Sequence, residues 1–139
     1  MALFRRVGRR GAALLFFTFL DFVYAYALLT APRPLTVFYA WMDQIMPLAW
    51  WAACWATVGL VCLCFAFAIR DTAAFMCAVA MKVGWGLPAF FGWTSGNVPL
   101  GYISAVIWLA FAAFVYLIAG GIPPAPEKER RWLWTRSSP

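Results

Sequence analysis

The stretch TAAFMCAVAMKVGWGLPAFFGW, residues 72–93, decides the fold. At about 1.5 Å of rise per residue it is long enough to cross roughly 30 Å of hydrocarbon as a helix. It is apolar throughout except for one charge near its middle, Lys82. A lysine at that depth costs about 2.5–3.5 kcal/mol on insertion scales, so it calls for a partner or a wet cavity.

Working outward, three further stretches have the same character. The spans read as 11–30, 48–69, 72–93 and 100–122. Pro32 and Pro34 end the first, because proline has no N–H to donate and its ring blocks the helix. Arg70 and Asp71 leave only a short turn between the second and third spans, which therefore form a tight antiparallel hairpin. Composition agrees with a membrane domain. The chain of 139 residues is 65% hydrophobic and 12% charged, with a mean hydropathy of +0.80; a soluble domain carries about 25% charge. The expected fold is an all-α membrane protein, four transmembrane helices in a bundle with a short outer interfacial helix. Its parts are a basic N-terminus (1–10), a four-span domain (11–122) and a basic, Trp-containing tail (123–139).

Residues 31–47 form the longest connection. Phe38, Trp41, Met42, Ile45 and Met46 fall on one helical face and Thr36, Ala40, Asp43 and Gln44 lie toward the other. This pattern suggests a short helix on the outer leaflet, either a membrane- or partner-binding surface or an anchor packed on the spans. Trp50, Trp51 and Trp55 follow near the same boundary. Tryptophan favours the membrane–water interface, and Trp41, Trp50, Trp51, Trp93, Trp132 and Trp134 are the candidate anchors.

Basic residues set the expected orientation. Nine of them (Arg5, Arg6, Arg9, Arg10, Arg70, Lys128, Arg130, Arg131 and Arg136) fall on one side of a four-span chain, against Arg33 alone on the other. Positive charge stays in the cytoplasm, so both termini are expected there, in the cytoplasmic (inner) membrane. The basic start followed by an apolar run also has the form of a signal peptide, but that run is long, contains Asp21, and reads as a retained span. In the tail, Lys128, Arg130, Arg131 and Arg136 around Trp132 and Trp134 suit an anionic lipid surface. The expected partners are the lipid bilayer and either further copies of the chain or another membrane protein. No nucleic-acid fold is present.

The chemistry-bearing residues are few. With no histidine, no phosphate-binding glycine loop and no acidic cluster, nothing in the sequence assembles a catalytic, metal or cofactor site, and a non-enzyme is expected. Cys54, Cys62, Cys64 and Cys77 include no Cys-x-x-Cys. They read as small buried apolar residues, with a disulfide or soft-metal pair across the hairpin as the alternative.

Depth carries the sharpest expectation. Asp21 lies ten residues into the first span and Lys82 ten into the third. Both spans run in the same direction, so both charges sit roughly 15 Å deep, near the bilayer middle. The predicted pair either fixes the packing of two helices or forms a gate or ion-coupling site. Beyond Lys82, Gly84, Gly86 and Pro88 predict a helix kink, since Pro88 removes a backbone bond and opposes the carbonyl of Gly84. Span four is rich in alanine, which permits close helix approach.

The region from Trp93 to Ala110, which includes GYISAVIWLA at 101–110, resembles small four-span membrane proteins of actinobacterial phages, proteins that are holin-like in size and architecture. That resemblance implies oligomerisation in the inner membrane and permeabilisation that releases a lysin. A second resemblance is to small multidrug transporters, which also have four spans and an acid in an aromatic-rich first helix. Here Phe16, Phe17, Phe19, Phe22, Tyr24 and Tyr26 flank Asp21, but those transporters use a glutamate with no neutralising lysine. A non-catalytic membrane accessory or exclusion protein is the third reading.

Overall fold

A computed structural model describes residues 8–68 and 71–121. Residues 1–7, Ile69, Arg70 and 122–139 lie outside it, and with them most of the basic N-terminus and the tail anchors Trp132, Trp134, Lys128, Arg130, Arg131 and Arg136.

The described residues form five helices: α1 (Arg9–Leu29), α2 (Val37–Ile45), α3 (Leu48–Phe65), α4 (Thr72–Thr94) and α5 (Gly101–Gly121). Four of them, all but α2, are long and apolar enough to cross a membrane, which makes the chain a multi-pass membrane protein by length and composition. They run up, down, up and down. α1 packs along α3 and α4 along α5 most extensively, and the two pairs meet along α3 and α4.

The buried positions explain the packing. In α3 they are Leu48, Ala52, Trp55, Gly59 and Cys62, and in α5 Gly101, Ala105, Trp108, Ala112 and Val115. Each set alternates steps of four and three, the seam of a left-handed bundle. Small residues bring α4 and α5 together. A Cβ on Gly86 would lie 3.2 Å from Leu109 and 3.3 Å from Trp108, and one on Gly101 would collide with the carbonyl oxygen of Ala89.

Local chemistry sets the helix ends. The Thr36 hydroxyl accepts from the backbone N–H of Tyr39 at the start of α2. The Asp43 carboxylate accepts from the N–H of Leu48 (3.0 Å), so α2 caps α3 across Pro47. α3 stops at Phe65 rather than running to Ile69. The N–H of Ala66 is shared between the carbonyls of Cys62 and Leu63, and the N–H of Ala68 turns back to Phe65. That tightening closes the last turn and starts the hairpin. Gly96, at φ 78, reverses the chain after α4, a conformation that favours glycine.

The short helix α2 packs on the spans. Met42 is fully buried, Phe38 meets the ring of Trp85 edge-on at 5.6 Å, and Trp41 donates its indole N–H to the carbonyl of Pro88 (3.0 Å). α4 continues as a helix through Pro88.

Candidate functional site

α1 and α4 are parallel and are joined side chain to side chain by two ion pairs. At the middle of the bundle, Lys82 Nζ donates to Asp21 Oδ1, and both side chains have no solvent exposure. The pair predicted from depth is therefore formed. The ammonium lies over the ring of Trp55, 4.8 Å from its centroid, with the rings of Phe17 and Phe111 at 5.9 and 6.0 Å. A desolvated cation over aromatic faces gains about 2 kcal/mol or more. Trp55 in turn stacks on Tyr24 at 4.7 Å and meets Trp108 and Trp85 at 5.3 and 5.7 Å. The rings fill the centre of the bundle around one charge pair.

Two further features shape this centre. Gly59 of α3 passes close to Asp21: a Cβ there would lie 3.3 Å from the Asp21 Cβ. The Thr18 hydroxyl donates within α1 to Leu14 and also reaches the carbonyl of Gly59 (3.2 Å). Asp21 Oδ2 and the indole nitrogens of Trp55 and Trp85 are buried without a hydrogen-bond partner among the described residues. The carboxylate is thus half used.

The second pair lies at the end of the bundle where α1 and α4 begin. Arg10 donates through Nε and Nη2 to the two oxygens of Asp71, at 2.8 and 2.7 Å. Its Nη1 reaches the carbonyl of Ala119 in α5 (2.6 Å), and its guanidinium lies 4.9 Å from the Phe75 ring centroid. Reading the sequence by depth missed this pair, because Arg10 belongs to a basic run and Asp71 to a short turn. A signal was nonetheless present. Arg10 and Asp21 are eleven residues apart, and so are Asp71 and Lys82. Eleven residues make about three helical turns, which returns both charges of each helix to one face.

The order of charge is opposite on the two helices, and this has a physical consequence. If α1 and α4 ran antiparallel in matching register, Arg10 would face Lys82 and Asp21 would face Asp71. Sliding either helix by eleven residues also brings like charges together. Only the parallel, matched arrangement pairs all four.

The other residues singled out by the sequence separate by location. Trp50 and Trp93 are exposed on the bundle surface, where interface anchors belong. Trp41 and Trp51 turn their N–H groups inward, Trp51 to the carbonyl of Met42 (3.2 Å). Trp55, read near a boundary, is fully buried beside Lys82. Gly84 has open space where its side chain would be, whereas Gly86 is a packing contact. The four cysteines are free, and only Cys62 is buried. No group of three metal-ligating side chains occurs among the described residues.

Comparison with protein-family models, with curated proteins and with solved structures gives no match in any of the three. The chemistry of the site is therefore read from its own atoms. The central contact holds two opposite charges enclosed in the bundle.

Proposed function

We propose that this chain is a non-catalytic protein of the cytoplasmic membrane, with both termini cytoplasmic, that permeabilises the bilayer by assembling with copies of itself, as holins do. One observation carries this reading: the centre of the bundle is filled, with Trp55, Trp85, Phe17, Asp21 and Lys82 at 1% exposure or less. Among the described residues this filled centre leaves no path through a single copy, so a lesion has to form between copies. The outward faces supply apolar surface for that contact, including Phe16 and Phe19 on α1 and Val106, Ile107, Phe114 and Leu117 on α5. Alanine at 110 and 113 lies on the same exposed side of α5, where it permits close approach.

Induced expression with a membrane-potential dye tests the reading. Abrupt depolarisation after a lag is expected; growth with an intact potential at full expression overturns it. Orientation is tested separately. Asn97→Cys, in the exposed turn between α4 and α5, is expected to react with an impermeant thiol reagent in intact cells, whereas reaction only after permeabilisation reverses the topology.

A second reading has its own observation. Asp21 Oδ2, without a hydrogen-bond partner among the described residues and set among aromatic rings, is what a small four-helix transporter would use to hold a cation or proton. That reading expects drug or ion flux at intact potential, abolished by Asp21→Asn.

A further inference from the structure

The end of the bundle that carries α2 holds a pocket of about 270 Å³ between the last turn of α1, the loop after it and the first turn of α3. Leu28, Leu29, Leu35 and Leu48 give it apolar walls, and Arg33 and Asp43 bring the only charges to its lining among the described residues. Arg33 is exposed and makes no hydrogen bond or ion pair among the described residues. Asp43 Oδ1 is engaged by the N–H of Leu48, which leaves Oδ2 available. The two opposite charges share one pocket without pairing with each other.

We propose that this pocket binds the headgroup of a zwitterionic phospholipid with a primary amine, phosphatidylethanolamine in chemical class. The guanidinium of Arg33 is a forked donor that matches a phosphate. Asp43 Oδ2 is an acceptor suited to the three N–H donors of a primary ammonium. The leucines are placed to meet the first methylenes of the acyl chains. Depth agrees, because the pocket is lined by the last turn of α1 and the first turn of α3, where two spans end, the level of headgroups rather than of hydrocarbon. A purely anionic ligand would face Asp43 and a purely cationic one Arg33, so the charge pattern selects a molecule that carries both. A choline headgroup has no N–H to give Asp43, and a glycerol headgroup has no positive charge. The inference is independent of whether the protein permeabilises membranes.

The test uses the full-length protein in nanodiscs of phosphatidylethanolamine, phosphatidylcholine and phosphatidylglycerol in equal parts. The protein is released into detergent, and the lipids that remain bound are measured by native mass spectrometry. Phosphatidylethanolamine is expected to be retained about tenfold over each of the others, roughly 1.4 kcal/mol. Retention in bulk proportions by the unaltered protein overturns the proposal. Arg33→Gln is expected to remove the enrichment. Asp43→Asn keeps an oxygen to cap Leu48 but loses the charge, and is expected to equalise the three lipids. Enrichment that persists in either variant also overturns the proposal.

Discussion

The two ion pairs between α1 and α4 have the same sequence separation, 61 residues, and opposite solutions to the same problem. At the end of the bundle an arginine meets both carboxylate oxygens of Asp71 and a helix-terminal carbonyl, so its forked donors find acceptors. At the middle a lysine makes one contact with one oxygen of Asp21, and aromatic faces take the place of further acceptors. The difference follows from what each depth offers. Helix ends present unused carbonyls, and α5 ends beside Arg10. In a helix interior most carbonyls already accept from their own helix, and Lys82 donates to none of them among the described residues. A compact ammonium over Trp55 suits that setting better than a guanidinium with five donors. The deep pair, with no exposure, should therefore be the more consequential one to break, and the end pair, at 6% and 5% exposure, the one that keeps a little contact with solvent.

The largest effect is expected in the middle. Lys82→Leu leaves the Asp21 carboxylate enclosed without its cation, and Asp21→Leu does the converse. Breaking one side of a buried pair costs about 3–5 kcal/mol. Each single change should sharply reduce folded protein, measured by thermal unfolding in detergent. The double change Asp21→Leu with Lys82→Leu should recover most of the loss. If the double mutant loses the sum of the two single effects, the residues are uncoupled and the central pair has no structural role.

A smaller effect is expected at the end. Arg10→Gln removes charge-assisted bonds to Asp71 and should cost about 1.5–3 kcal/mol at low salt. Arg10 and Asp71 are 6% and 5% exposed, so salt screens them little, and the loss should shrink only slightly as salt rises toward 1 M. The loss from Lys82→Leu should hardly change over the same range. A salt response of equal size at both sites would remove the distinction between them.

The smallest effects concern two glycines that flank the central pair. Gly59→Val forces atoms against Asp21 and Phe22, with the Cβ alone at 3.3 and 3.5 Å from them, and should cost about 1–3 kcal/mol. Gly84→Ala meets nothing within 4 Å and replaces a poor helix former, so it should stabilise by up to about 1 kcal/mol. Equal responses in the melting temperature would mean that the close approach of α3 to Asp21 is unimportant.

Residue order alone determined the helical class, the four spans and the depth of Asp21 and Lys82, because those depend on local apolarity, on span length and on a fixed rise per residue. The same depth arithmetic was available for Arg10 and Asp71, whose eleven-residue steps match those of the central charges. It was hidden because a charge at a helix end needs no partner when water is near, so nothing in the sequence demanded one. Only the tertiary structure decided that Trp55 faces the bundle centre while Trp50 faces outward, since tryptophan suits an interface and a core equally well. The tertiary structure also decided that Gly86 is a contact with α5, that Gly59 makes room for Asp21, and that Arg33 and Asp43 share a pocket. Each of these depends on which faces of separate helices meet, and that is set by the simultaneous packing of all four spans and α2.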